Sequence, residues 1–291
     1  MWILYAILSA AFAAVNALLS KQTADRTTPV TANAARTGAV LLFAVVAMLL
    51  THGANVLANL NLSDYCILLG AGAATTGAWI FYFRALSHGT AESVSAIDKF
   101  SVVLTSVGGA ILGNEPFRFT TLLAIGLLSF GILQIIKCSS TSLDSRRSDN
   151  RIWWIAGLTS AVLMAISVLL SRITTQKIPP EAALAVRTGF VFVLSHLILC
   201  FKCEGGNLKQ MDRKTALILL LSGLLTGAGW LCSFRALAQG NAAPVHAIER
   251  LSLPFTVLLS YLINRRTCSF AYWKGLFLMV IGMIGLAFDI R

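Results

Sequence analysis

Ten long apolar runs set the limits on what this chain can fold into. Each is roughly 18–22 residues long, which as a helix spans the ~30 Å hydrocarbon core of a bilayer. The runs lie at residues 2–20, 31–50, 65–86, 93–113, 119–137, 152–171, 182–201, 215–237, 244–263 and 271–288. None shows the short alternating pattern of a membrane β-barrel strand. The sequence therefore predicts an all-α integral membrane protein with ten transmembrane helices.

Composition agrees with a membrane chain. Hydrophobic residues make up 57% of the sequence and charged residues only 12%, against about 25% charged in soluble proteins. The net charge of +11 would suggest nucleic acid as the partner of a soluble protein. Here the basic residues lie mostly between the apolar runs and are not interleaved with aromatics, so we expect a lipid bilayer and no nucleic acid as the partner. The first run begins at Trp2 without a basic segment before it, so we expect a retained helix and not a cleaved signal peptide.

One stretch of the sequence occurs as two similar copies. Residues 75–105 read TTGAWIFYFRALSHGTAESVSAIDKFSVVLT, and residues 226–256 read TGAGWLCSFRALAQGNAAPVHAIERLSLPFT, 151 positions later. The acid–base pair Asp98-Lys99 becomes Glu249-Arg250, which changes the residues and keeps the charges.

The duplication covers nearly the whole chain and predicts its domain organisation. We expect a first five-helix repeat at residues 1–137, a polar linker at 138–151 and a second five-helix repeat at 152–291. Because five is an odd number, the second repeat must enter the membrane in the opposite direction. The sequence therefore predicts two inverted repeats, the arrangement of many secondary transporters.

The distribution of basic residues predicts the orientation. Thirteen Lys and Arg residues lie in or beside the loops that follow the odd-numbered helices, and four lie on the other side. The excess favours cytoplasmic odd-numbered loops with both termini outside.

Polar side chains recur on matched faces of the predicted helices. Because polar groups facing lipid are costly, we expect helices 1–4 and 6–9 to line a central polar cavity, with helices 5 and 10 at its rim. The alternative is that Ser and Thr bond to their own helix and that the two Trp side chains only pack. The predicted substrate-cavity residues are Asn16, Arg36, Thr75, Trp79, Tyr82, Ser101, Thr105, Ser167, Arg187, Thr226, Trp230, Ser233, Ser252 and Thr256.

Charged residues within the spans form a second set, predicted to act in gating or ion coupling. These are Arg84, Asp98, Lys99, Arg235, Glu249 and Arg250. We expect Arg84 to pair with Asp98 across the turn at Gly89, and Arg235 to pair with Glu249; the alternative is that both Arg side chains reach the headgroups. A buried carboxylate can also titrate, so Asp98 and Glu249 are the candidates for proton or ion coupling.

Two further residues leave alternatives open. Pro254 lies inside the ninth span, where it is either a hinge or a tolerated kink. His246 is a lone His near a helix start and is interpreted as structural.

Motifs for catalysis, nucleotide binding or metal binding are absent from the sequence. It has no HExxH, GxSxG or P-loop pattern. Cys200 and Cys203 form a CxxC without a second ligand pair, so ordinary thiols are the default. We therefore expect no enzyme activity, no cofactor and no metal, and a gradient as the source of energy.

The duplicated motif resembles a known group of proteins. The pattern FRAL…G…V.AI[DE][KR].S in both halves, together with Leu112-Gly113-Asn114-Glu115, is similar to the EamA-like branch of the drug/metabolite transporter superfamily. The resemblance covers the whole chain and implies a gradient-driven or facilitative carrier of small metabolites, often an exporter of amino acids or related compounds, working by alternating access.

This sequence departs from the wider group in two ways. The related small multidrug transporters use a membrane-embedded Glu in helix 1, and the corresponding region here holds Asn16 and Ser167. Ten-helix relatives usually have both termini inside, whereas the charge bias here favours outside.

The expected function is secondary transport of a small polar metabolite, such as an amino acid or related zwitterion or anion, in a bacterial inner membrane. The excess of cations over anions among the cavity charges favours an anionic or zwitterionic solute. The alternatives are a multidrug or cation exporter and a non-transporting membrane binding protein. The solute, the direction, the coupling ion and the oligomeric state are left open.

Overall fold

Helices form all the regular structure in the described part of the chain. The computed structural model describes residues 1–23, 26–51, 53, 55–58, 60–88, 91–112, 118–141, 151–202, 205–206, 211–256 and 270–288. The helices are α1 (Trp2–Thr23), α2 (Pro29–Thr51), α3 (Asn55–Ala58), α4 (Leu62–His88), α5 (Ala91–Asp98), α6 (Ser101–Ile111), α7 (Phe119–Thr141), α8 (Arg151–Thr175), α9 (Pro180–Phe201), α10 (Arg213–Gln239), α11 (Ala242–Glu249) and α12 (Phe270–Phe288). Residues 252–256 are also helical. The predicted Gly89 turn, Gly113-Asn114-Glu115, most of the linker, and Cys203 lie outside the described residues.

Eight stretches among the described residues are long and apolar enough to cross a membrane. They are Val30–Thr51, Leu62–Tyr82, Val94–Ile111, Phe119–Lys137, Ile152–Thr175, Pro180–Phe201, Arg213–Gln239 and Phe270–Ala287. The expected first span falls on α1, where a shorter apolar helix, Trp2–Asn16, is found. The expected ninth span continues past Thr256 into residues that are not described. The protein is thus an all-α, multi-pass membrane protein, and the count of ten helices stays a prediction.

The chain divides into two compact units, and each unit takes helices from both halves of the sequence. Unit 1 comprises Met1–Thr76 and Leu170–Gln239; unit 2 comprises Gly77–Leu169 and Gly240–Arg291. The boundaries fall inside α4 and α8, so these two helices each contribute to both units.

Close backbone contacts hold unit 1 together at positions that correspond in the two halves. A Cβ added at Gly72 of α4 would lie 3.3 Å from the carbonyl oxygen of Arg187 on α9. A Cβ at Gly223 of α10 would lie 2.7 Å from the carbonyl oxygen of Arg36 on α2. Gly223 lies 151 positions after Gly72, and Arg187 lies 151 positions after Arg36, so the two contacts are equivalent in the repeat. Small residues at these points let helices approach closely, which drives helix association in lipid.

Unit 2 contains an antiparallel helix pair that also approaches closely at glycine residues. A Cβ at Gly131 of α7 would lie 2.6 Å from the backbone nitrogen of Met279 on α12, and one at Gly282 would lie 2.6 Å from that of Leu128. Leu128 and Gly131 face α12 in reverse order, so the two helices run antiparallel. Since α7 and α12 occupy equivalent places in the two halves, equivalent helices here point in opposite directions.

Candidate functional site

The predicted span at residues 93–113 is not one continuous α-helix. α5 ends at Asp98 and α6 begins at Ser101. Between them the backbone bonds shorten to i→i−3: Lys99 N–H donates to Ala96 O at 3.1 Å, and Phe100 N–H donates to Ile97 O at 2.8 Å. A single tightened turn of this kind inside a helix often marks a functional hinge. The acid–base pair therefore lies at an interruption of the helix.

The second half has the same interruption at the same place. α11 ends at Glu249, and Leu251 N–H donates to Ile248 O at 3.0 Å before the helix resumes at residue 252. Leu253 N–H then donates to Arg250 O at 3.2 Å, which occupies the carbonyl left free by Pro254. The first half is interrupted equally with Val103 at the position of Pro254. Proline is thus not the cause of the break.

An ion cluster lies at the two breaks in unit 2. The buried Asp98 carboxylate oxygen Oδ2 accepts from Lys99 Nζ at 3.2 Å and from an Arg250 guanidinium nitrogen at 2.6 Å. Asp98 and Arg250 come from different halves of the sequence. A buried charge is tolerated when it is paired and hydrogen-bonded, so the two cations stabilise the ionised form of Asp98.

His246 connects the remaining members of this cluster. Its Nε2 lies 3.1 Å from Ser101 Oγ and accepts from Arg250 Nε at 3.4 Å, while its Nδ1 lies 3.6 Å from Glu249 Oε2. Ser101 Oγ also donates to Asp98 O at 2.7 Å, which satisfies a carbonyl exposed by the tightened turn. Five ionisable side chains and one hydroxyl thus form a network at the two breaks.

Unit 1 holds a buried cation against aromatic rings. The guanidinium carbon of Arg187 lies 4.5 Å from the ring centroid of Trp230 and 4.6 Å from that of Phe234. Both aromatic residues lie on α10, one helical turn apart, so a single face of α10 holds the Arg187 side chain of α9. Stacking on aromatic faces orients the planar guanidinium group.

A series of side-chain hydrogen bonds in unit 1 joins α2 to α9. Arg36 donates to Asn33 Oδ1 at 3.1 Å, and Asn33 Nδ2 donates to Ser195 Oγ at 3.2 Å. On the neighbouring helices, Ser222 donates to Asn16 Oδ1. These bonds satisfy polar side chains that lie within or near the spans.

A family assignment follows from comparison with known proteins. The sequence model of the EamA-like transporter family matches residues 1–137 and 151–288. The chain belongs to the EamA-like transporter family. The resemblance noted in the duplicated motif is thereby confirmed, and family membership points to a membrane transporter and not to an enzyme.

Two individual proteins are similar to this EamA-like chain. One is an "Uncharacterized transporter in cobO 3'region" from Sinorhizobium sp., 29% identical over 135 residues, which are 46% of this chain and 96% of that protein. The other is a solved chain described as "Crystal structure of protein", with a TM-score of 0.79 at 15% identity, covering 100% of this chain and 97% of that one. At this identity the second likeness concerns the fold alone.

The predicted site residues of this EamA-like protein are divided between the two units. Unit 1 contains Asn16, Arg36, Thr75, Arg187, Thr226, Trp230, Ser233 and Arg235. Unit 2 contains Trp79, Tyr82, Arg84, Asp98, Lys99, Ser101, Thr105, Ser167, Glu249, Arg250, Ser252 and Thr256. Trp79 and Tyr82 meet edge to face, with ring centroids 5.9 Å apart. Ser167 is buried, and Ser233 and Ser252 are half-buried.

Four predicted cavity hydroxyls donate to their own helices, as the alternative interpretation allows. Thr75 donates to Ala71 O and Thr226 to Ser222 O, at 2.8 and 2.7 Å. Thr105 donates to Ser101 O and Thr256 to Ser252 O at the same two distances. The hydroxyl hydrogens of these four residues are thus used within the helices.

The two predicted Arg–carboxylate pairings are wrong. Arg235 instead donates from Nε to Glu181 Oε1 at 2.7 Å, within unit 1. Asp98 is bonded to Lys99 and Arg250, and the Arg84 side chain is exposed. The physical reason is that the cations next to the helix breaks already satisfy Asp98, whereas Glu181 at the start of α9 is buried and needs a cation.

Sequence comparison between the halves missed three participants. Glu181 corresponds to Val30, His246 to Ser95 and Ser195 to Ala44, so none stood out as a repeated polar residue. Glu181 could have been found as the acidic residue directly before the predicted span at 182–201. No group of His, Cys, Asp and Glu suited to a metal ion is found among the residues that the structure describes.

Proposed function

We propose that this EamA-like protein is a secondary carrier that moves a small polar metabolite, such as an amino acid or a related zwitterion or anion, by alternating access between two inverted repeats. The observation that carries the proposal is the matched interruption of α5–α6 and of the helix after α11 at an acid–base pair. Discontinuous helices with charges at the break form the solute and ion sites of many transporters.

The inverted repeats are supported by the contacts within each unit. The antiparallel packing of α7 on α12, through Gly131 and Gly282, is what two oppositely oriented halves require. The proposed repeats are residues 1–137 and 152–291, joined by the linker 138–151.

The solute class is supported by the stacked guanidinium of Arg187. An Arg held on Trp230 and Phe234 presents N–H donors suited to the carboxylate of an amino acid. The half-buried Ser233 on the same helix and the back-bonded Thr226 offer acceptor oxygens for an ammonium group. We therefore place the solute contacts of unit 1 at these residues.

Export of organic cations is less favoured. The Asp98 carboxylate is already neutralised by two cations, so it is not open to a cationic substrate. The remaining proposed roles are gating for Lys99, Arg250 and Arg84, and solute contact for Trp79 and Tyr82. The membrane is proposed to be the bacterial inner membrane.

Efflux from reconstituted vesicles tests the proposal. Purified protein is placed in liposomes loaded with radiolabelled protein amino acids, and in parallel liposomes loaded with ethidium. The expected result is amino acid efflux faster than from protein-free liposomes, slowed by Arg187→Ala. Efflux of ethidium alone would favour the cation exporter, and no protein-dependent efflux of either probe would favour a binding protein. Arg118→Ala, at an exposed position outside the spans, is the matched control.

A further inference from the structure

Two carboxylates at equivalent positions of the repeat have unequal surroundings. Asp98 Oδ2 contacts both Lys99 and Arg250, so its charge is compensated twice. Glu249 Oε2 lies 3.6 Å from the His246 ring, and Glu249 Oε1 is buried without a hydrogen-bond partner among the described residues. Glu249 thus has fewer close cations than Asp98, and one of its oxygens is open to a proton.

His246 is placed to deliver that proton. The single hydroxyl hydrogen of Ser101 is used at Asp98 O, so a bond between Ser101 Oγ and His246 Nε2 at 3.1 Å needs the proton on Nε2. The bond from Arg250 Nε to the same Nε2, at 3.4 Å, needs Nε2 without a proton and therefore Nδ1–H facing Glu249. The geometry thus serves both neutral tautomers of the buried His246 ring.

We propose that His246 relays a proton to Glu249 and that this pair is the proton-coupling site of the carrier, while Asp98 stays a fixed charge. Ser101 Oγ gives its hydroxyl proton to Nε2 and takes up a solvated proton in exchange, while Nδ1 releases its own proton to Glu249 Oε2. The imidazole returns to its neutral form in the other tautomer, one proton is bound, and Glu249 loses its negative charge. The coupling part of this proposal rests on the proposed carrier function.

Few other charged groups near the pair belong to the part of the chain that the structure describes. The α5–α6 break provides Asp98 and Lys99, and the α11 break provides Arg250; Tyr82 of α4 interacts electrostatically with Asp98 and Arg250. α6 has no charged residue, and α12, which packs against α11, carries Tyr272 and the exposed Lys274. With Glu249 ionised, the two acids balance Lys99 and Arg250. Proton uptake leaves the breaks with a net positive charge, which is the change that a coupled carrier needs at a hinge.

Infrared difference spectra of the purified protein in lipid vesicles, recorded over a pH titration without any solute, test the protonation. We expect the carbonyl band of a buried protonated carboxyl group to grow as the pH falls. Glu249→Gln should lose the band, and His246→Gln should shift its midpoint. The inference is overturned if the band persists in Glu249→Gln. Should Glu249→Gln fail to fold, Glu249→Asp replaces it, and an unmoved band in that variant overturns the inference.

A second measurement separates this inference from the carrier proposal. Vesicles containing a trapped pH dye and labelled amino acids report proton and solute movement together. Solute movement without proton movement overturns the coupling and leaves the carrier. The Glu249 band without any movement of solute overturns the carrier and leaves the protonation of Glu249.

Discussion

Arg250, from the second half of the sequence, donates a 2.6 Å hydrogen bond to the carboxylate of Asp98, from the first half. The bond joins the two helix interruptions of unit 2 to each other. It also fixes an acid that sequence comparison alone would pair with Arg84. The pairing suggests that the breaks move together, since a displacement of one would pull on the other.

Asp98→Asn is expected to destabilise the protein strongly, because it leaves Lys99 and Arg250 without their counterion. Breaking a buried ion pair from one side costs about 3–5 kcal/mol. The free energy of unfolding in mixed micelles, measured by titration with a denaturing detergent, reports the loss. Arg250→Gln combined with Asp98→Asn should cost less than the two single changes added together, as a double-mutant cycle requires for a direct pair. Strict additivity would contradict the pairing.

Alanine at either glycine of the α7–α12 contact is expected to push the two helices apart. The new Cβ would lie 2.6 Å from a backbone nitrogen at Gly131 and at Gly282, and overpacking of this kind costs about 1–3 kcal/mol. Gly126, on the same helix as Gly131, is the matched control because nothing lies within 4 Å of its added Cβ. The same unfolding titration should show Gly126→Ala unchanged or slightly more stable. Equal losses at Gly126 and Gly131 would argue against close helix contact.

Arg187→Lys is expected to weaken binding of the transported amino acid while keeping the positive charge. Lys cannot reproduce the planar stack on Trp230 and Phe234, and a desolvated cation–π contact contributes about 1–2 kcal/mol. The KM for efflux should rise about tenfold, the factor that corresponds to 1.4 kcal/mol. Arg172→Lys is the control, since Arg172 donates to the Leu237 carbonyl and is not part of the stack. An unchanged KM in Arg187→Lys would remove Arg187 from the solute site.

The orientation predicted from the basic loops can be checked with single cysteines in a cysteine-free background. A cysteine at Ser145 should react with a membrane-impermeant maleimide only from the cytoplasmic side. A cysteine at Lys177, which is exposed between α8 and α9, should react only from the other side. The reverse pattern would place both termini inside.

The fold class followed from the length of the apolar runs, because a lipid-spanning segment must satisfy its own backbone. The interruption at Lys99–Phe100 could not be predicted from the sequence, because no Gly or Pro marks the turn where the i→i−3 bonds form. The charged residues at the breaks were recognised because the acid–base pair is repeated, but the sequence did not predict that Asp98 pairs with Arg250. The partner of Arg235 was not found because Glu181 replaces an apolar residue in the second half only, and pairing of distant residues depends on packing that helical spacing does not encode.

The contacts between α7 and α12, between α2 and α9, and between Asp98 and Arg250 each join residues from opposite sides of the linker. The covalent connection between Thr141 and Arg151 is therefore one of several attachments between the two halves of the sequence. A chain cut within that linker, with its two pieces made in the same cell, should reassemble in the membrane. The gene could accordingly be split there, and each piece could carry its own label for following the two halves separately.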